Sequence, residues 1–157
     1  MPKLTGMPLE DEGCEVFTGM GLTCFHRLRQ VRLLELHPAG SYSSDEHLEV
    51  DYLIPYHDAC LIGEITGRAA PSDIVSKYRQ FRRHWNVLSV SDLSEHSMWS
   101  LFGVPTDRLR DFREVRRLIG FMIVTELQTF DVDLPTVPNI VCFYKADWRL
   151  LKEYSQV

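Results

Sequence analysis

Hydrophobic and polar positions recur along this chain with two different periods, and the change of period marks out most of its elements. Residues 48–56, LEVDYLIPY, alternate with period two. Leu48, Val50, Tyr52 and Ile54 fall on one side and Glu49, Asp51 and Leu53 on the other, which predicts a strand that Pro55 ends. After the short turn at His57 and Asp58, the run ACLIGEITG is apolar apart from Glu64 and Thr66. That is expected of a central strand covered on both faces, so the two segments predict a hairpin. Past Pro71 the period lengthens. Ile74, Tyr78, Phe81, Trp85 and Leu88 follow a four-three spacing, the single buried stripe of a helix with Pro71 and Ser72 at its start and Ser72 as N-cap.

The flanking segments complete an alternation of helices and strands. Residues 9–28 have helical spacing at Leu9, Val16 and Met20, with glycines at 13, 19 and 21 that predict a break near Gly21. VRLLEL, 31–36, predicts a strand or the end of a long helix, and the turn-forming run HPAGSYSSDEH follows it. Residues 92–117 are polar and mostly helical in pattern, interrupted by FGVPTD, and are expected to form a helical insertion. RLIGFMIVTEL (117–127) and NIVCFYK (139–145) are β-branched and apolar, as interior strands are, and ADWRLLKEYSQV predicts a closing helix. The predicted fold is therefore α/β, a mixed central sheet flanked by helices.

Composition narrows the class. The 157 residues fit one domain, and 45% hydrophobic with 25% charged residues is the balance of an ordinary globular protein. No apolar run is long enough for a membrane span, and the N-terminal stretch MPKLTGMPLEDEG lacks the apolar core of a secretory signal, so an intracellular location, cytoplasmic or nuclear, with no membrane partner is expected. The four cysteines form no C-x-x-C pair and are expected to be reduced. A zinc set from Cys24, His26, His57 and Cys60 can be drawn, but its spacing matches no zinc knuckle.

A net charge of −5 opposes binding of a nucleic-acid backbone unless positive charge is gathered locally. It is gathered: nine of the 17 Lys and Arg residues lie in 77–83 and 108–117. These stretches can serve as solvated helix faces, or their arginines can pair with Asp107, Asp111 and Glu114, or contact phosphates. Trp85 and Phe81 belong to the buried stripe and are expected in the core. No H-E-x-x-H, G-x-S-x-G or phosphate-binding glycine loop is present, which leaves hydrolase triads and nucleotide-binding folds without support.

The two acids inside the hairpin carry the functional argument. Neighbouring strands can present Asp51 and Glu64 side by side, and like charges at that distance are stable only with a shared proton or a cation between them. Magnesium needs one or two protein carboxylates plus waters and substrate oxygens, which suits such a pair.

A strand with Asp51 in EVDYLI, a turn, a strand with Glu64 and Thr66 in GEITGR, and then an amphipathic helix over 72–88 resembles the PD-(D/E)XK, or restriction-endonuclease-like, nuclease superfamily over roughly residues 9–145. The resemblance implies a restriction-endonuclease-like core and a Mg²⁺- or Mn²⁺-dependent phosphodiesterase acting on DNA or RNA. Its metal ligands would be Asp51, Glu64, the backbone carbonyl of Ile65 and a carboxylate of the first helix, Glu12 or Glu15. The superfamily's lysine two residues past the second acid is Thr66 here, so its role is expected to pass to Lys77 on the next helix, with Arg68 second. Arg68, Arg79, Arg82 and Arg83 are the expected nucleic-acid contacts. Two other functions fit the same residues: a catalytically degenerate module of this fold that binds nucleic acid or a protein partner, and a structural or assembly subunit without a site. A homo-oligomer or a larger complex is compatible with each.

Overall fold

The computed structural model describes residues 6–91 and 96–156. In chain order the elements are α1 (Gly6–Gly19), β1 (Val31–Arg32), α2 (Leu33–Leu36), β2 (His47–Leu48), β3 (Tyr52–Tyr56), β4 (Ala59–Thr66), α3 (Pro71–Ser89), α4 (His96–Leu101), a 3-10 segment Thr106–Phe112, β5 (Arg117–Val124), a 3-10 turn Thr129–Asp131, β6 (Ile140–Phe143) and α5 (Lys145–Ser155). The main sheet has the order β3-β4-β5-β6, with β3 antiparallel to β4 and the other two pairings parallel. The chain is thus a mixed α/β fold with its sheet flanked by helices.

Strand alternation sends β4 to two separate cores. Cys60 and Ile62 face the cluster built on Ile74, Tyr78, Phe81, Trp85 and Leu88 of α3. Leu61 and Ile65, one step out of phase, join Leu9, Val16 and Phe17 of α1 and Trp148 of α5 on the opposite face. Glu64 and Thr66 share the parity of Cys60 and Ile62, so both are set on the α3 face.

The hairpin closes at His57 and Asp58 as the pattern predicts, with His57 at φ 54° in the left-handed region that such tight turns use. The single strand expected over 48–56 is instead broken. β2 pairs with β1 in a small separate sheet, the chain bends at Asp51, and β3 begins at Tyr52. Leu48 and Val50 consequently lie in the same core as Leu53, while Tyr52 and Ile54 lie in the other. The bend shifts the alternation by one residue, which a strictly periodic reading misses. Pro55 sits within β3 rather than ending it; beside Pro55 the outer side of β3 has no neighbouring strand, where the missing N–H costs nothing.

Three further boundaries differ from the pattern. Helix α3 starts at Pro71 with Ala70 as its N-cap and no side-chain cap bond, so Ser72 is not the cap; proline's fixed φ suits the first helical position. VRLLEL divides into the two-residue β1 and the one-turn α2. The segment expected as a helical insertion is part of the main core: Trp99, Phe102, Phe112 and Val115 are fully buried against it, and its second half is 3-10 rather than α. Residues 92–95 of that segment lie outside the described residues. Helix α1 ends at Gly19, and Gly21 at φ 86° turns the chain where the break was expected. No helix among the described residues is long and apolar enough to cross a membrane.

Candidate active site

The bend before β3 and the far half of β4 together place Asp51 beside Glu64. Tyr52 pairs with Gly63, and the Asp51 amide continues that ladder by donating to the Gly63 carbonyl at 2.9 Å, which sets Asp51 opposite Glu64 on the α3 face. The Asp51 carboxylate is held in place by the Ile65 amide, which donates to its Oδ2 at 2.9 Å. Glu64 lies within hydrogen-bonding reach of that carboxylate.

A third acid arrives from α1. Glu10 also stands within reach of Asp51, and with Glu49, Lys77, Gln80 and His84 it completes the polar wall of a cavity of about 120 Å³ around the acid pair. That space is small and polar, and accommodates a partly hydrated cation with a phosphate oxygen.

Electrostatics follow from this crowding. Burial first, and then the Asp51 charge, push Glu10 up to about 8. The same two causes raise Glu64 well above the usual carboxylate range, opposed by the Lys77 ammonium facing it. Glu64 retains some exposed surface, but its carboxyl group is enclosed by α1, the sheet and α3. His84 is buried and held toward its neutral form by that burial; its Nδ1 lies 3.2 Å from the Glu49 carbonyl oxygen and fixes the segment leading into Asp51.

The position of Glu10 depends on one close approach. The Tyr52 hydroxyl, fully buried, donates to the Glu10 carbonyl at 2.8 Å, and α1 can lie this near only because residue 13 has no side chain: a Cβ there would overlap the Tyr52 phenol. Replacing Gly13 by Ala is therefore expected to cost about 1–3 kcal/mol through overpacking. Any activity of the pocket should fall by more than the loss of folded protein explains, because Glu10 is carried away from Asp51. Adding Tyr52→Phe to that variant removes the overlapping oxygen and should recover part of the stability. Thermal melts of the single and double variants check both statements.

The acids foreseen from the sequence divide clearly. Asp51, Glu64 and Lys77 converge on one cavity. Glu12 does not line it: its carboxylate pairs with Lys152 of α5 at 3.6 Å, and Glu15 is exposed, so the first-helix acid at the pocket is Glu10. Thr66 is buried and its hydroxyl accepts the Arg68 amide at 3.2 Å, outside the cavity wall. Arg68 pairs with Asp73 at the start of α3, 3.8 Å away, and does not reach the cavity. Ile65 contributes the amide that anchors Asp51. Of the α3 arginines, Arg79 and Arg83 line a neighbouring groove and Arg82 lines neither space.

Other sequence candidates are dispersed. Of the arginines of 108–117, Arg117 pairs with Asp58 of the hairpin turn, and Arg108 pairs with Asp111 and lies over the Phe25 ring; none of the five lines the acid cavity. From Ala59, the partner of Arg117, to Glu64 is about 17 Å of strand, so Arg117 stands well away from the acid pocket. The drawn zinc set is not assembled either: His26 pairs with Asp11 at 3.0 Å, Cys60 is buried in the sheet and His57 is exposed on the turn.

The donor set fits a hard divalent cation better than a soft one, since the oxygens at the centre are carboxylates and no thiolate is near. Among the described residues, no three His, Cys, Asp or Glu side chains are drawn into a ready-made metal cage. An ion such as Mg²⁺ does not require one, because it keeps most of its waters and takes one or two carboxylates. Glu10, Asp51 and Glu64 sit close enough that a proton shared among them or a cation between them is the condition for their stability. No family model, curated protein or solved structure matches this chain.

Proposed function

We infer that the chain is a divalent-metal-dependent phosphodiesterase, a nuclease of restriction-endonuclease-like design acting on DNA or RNA. The observation that carries the reading is the convergence of Asp51, Glu64 and Glu10 on one small polar cavity faced by a single lysine. Asp51 and Glu64 would hold the ion, with the Ile65 carbonyl as a further ligand and Glu10 as the acid from the first helix. When bound, Mg²⁺ or Mn²⁺ supplies a water of lowered pKa and neutralises charge on the phosphate.

The chain's own groups do the remainder. The Ile65 amide keeps Asp51 from rotating away, and the Tyr52 hydroxyl keeps α1 seated so that Glu10 stays within reach. Lys77 opposes Glu64 and is placed to steady the anion and to meet negative charge that grows on the attacked phosphate. Its position on α3 meets the need that Thr66, enclosed and already bonded to the Arg68 amide, leaves open.

The test is incubation of the purified chain with mixed single- and double-stranded DNA and RNA in Mg²⁺ or Mn²⁺, with EDTA and Glu64→Ala controls. Cleavage that requires the metal and disappears in the variant supports the reading. No cleavage of any substrate, or cleavage that survives the substitution, sinks it.

A further inference from the structure

We propose that the groove beside the acid cavity is a binding track for the sugar-phosphate backbone of one nucleic-acid strand, seating the phosphate next to the one attacked. The proposal rests on the nuclease reading for its substrate class, and its evidence lies outside the acid cluster. The groove, about 400 Å³, runs between α3 and the segment entering β2, and is walled by Glu46, His47, Arg79 and Arg83. It shares Gln80 and His84 with the acid cavity, so the two spaces are adjoining compartments of one surface. The first is the smaller of the two; the second is within the size range of sites that take a small organic unit such as a nucleotide.

The chemistry of the walls selects the ligand. Arg79 and Arg83 lie four residues apart on α3, about 6 Å along its axis, on the order of the separation of successive phosphates in an extended strand. Arg79 makes no salt bridge with any described residue. Arg83 is capped by Glu46 at 2.7 Å, an exposed pair of the kind that contributes little and that a phosphate can displace. Among the described residues, no phenyl, phenol or indole ring lines the groove. Its walls offer the Arg79 and Arg83 guanidinium groups and the His47 imidazole to phosphate oxygens, beside the Glu46 carboxylate that Arg83 holds.

The experiment measures binding apart from cutting. Fluorescein-labelled single-stranded 20-mers of mixed sequence, one DNA and one RNA, are titrated in EDTA at several salt concentrations with wild type and three variants whose folding is checked by circular dichroism. Arg79→Ala/Arg83→Ala is expected to weaken binding about tenfold or more and to lower the salt slope by roughly 0.7 for each phosphate that is no longer neutralised. Glu46→Gln, which frees Arg83, should tighten binding. Arg110→Ala/Arg113→Ala, which lie on the wall of neither the cavity nor the groove, should leave both quantities unchanged. The DNA and RNA arms decide which backbone is preferred.

An equal loss from the two arginine pairs, no loss from the groove pair, or no binding by the wild type overturns the track. Wild type that binds with the expected variant pattern yet cuts nothing in Mg²⁺ or Mn²⁺ leaves the track standing and removes the nuclease reading. Cutting that persists with unaltered binding in Arg79→Ala/Arg83→Ala does the reverse.

Discussion

Substituting Glu64 by Gln is expected to abolish metal-dependent cleavage, by about a thousandfold or more, while making the metal-free protein more stable at pH 8. The two effects share one cause. Glu64 is enclosed next to Asp51 and its proton affinity is raised well above the ordinary value of 4.5. A carboxyl whose folded pKa exceeds its unfolded one contributes stability that is fully present below the unfolded value and is lost as pH rises through the folded one. Wild type in EDTA should therefore lose stability as pH rises above about 4.5, and Glu10, pushed up to about 8 by the same crowding, carries its own share of that loss through about pH 8. The Gln amide keeps the shape, donates to Asp51 and carries no charge, so the pH dependence of its melting temperature should be shallower across that range. Thermal melts at pH 5 and pH 8, with and without Mg²⁺, check this. An unstable Glu64→Gln protein with wild-type pH dependence would mean that the pair is an ordinary packed element of the sheet.

Removing Lys77 is expected to separate catalysis from metal binding. Lys77→Met should lower kcat by about a hundredfold, since the only ammonium that the described residues place on the cavity wall is gone, while a divalent ion still binds. Lys77 also lowers the proton affinity of Glu64, so in its absence the carboxyl is harder to ionise and half-maximal Mn²⁺ binding should move to higher pH. Lys77→Arg keeps the charge and should retain part of the activity with little movement of the binding midpoint. A pH series of Mn²⁺ titrations together with single-turnover cleavage distinguishes this from a lysine that only covers the helix surface. In that case kcat and the binding midpoint would both stay near wild type.

The sequence made Asp51, Glu64 and Lys77 legible because the hairpin and α3 around them have clean periods, although Asp51 itself sits at the bend before β3. The hairpin turn fixes the pairing of the two strands, and antiparallel pairing sets Asp51 opposite Glu64 whether or not residue 51 is itself in a strand. The four-three stripe of α3 fixes its buried side and so the flank on which Lys77, Gln80 and His84 stand. Glu10 was not legible. Three glycines blur the period of the first helix, and its rotation is set by the ridge of Glu10, Gly13 and Phe17 against Tyr52, a tertiary fit with no local signature except the glycine itself. Once Phe17 is placed on the buried side with Gly13, Glu10 follows at three- and seven-residue spacing and Glu12 is turned toward α5.

The burial of residues 98–115 escaped for a related reason. Trp99, Phe102 and Phe112 are spaced too irregularly for one helix face because the chain passes through α4, a glycine turn and a 3-10 segment while keeping them in the same core. The role of Glu49 and His84 lies in the bend at Asp51, where alternation slips by one residue. Periodicity carries across an element and stops at a kink, and this site is built at one.

Direct titration of Mn²⁺ into the purified chain at pH 8, followed by calorimetry in two buffers of different ionisation enthalpy, tests the central claim that a cation resides among Asp51, Glu64 and Glu10. The account expects binding with release of protons from the crowded carboxyls, weakened at least tenfold in Asp51→Asn and in Glu64→Gln. Absence of Mn²⁺ binding, or equal affinity in wild type and both variants, would contradict it.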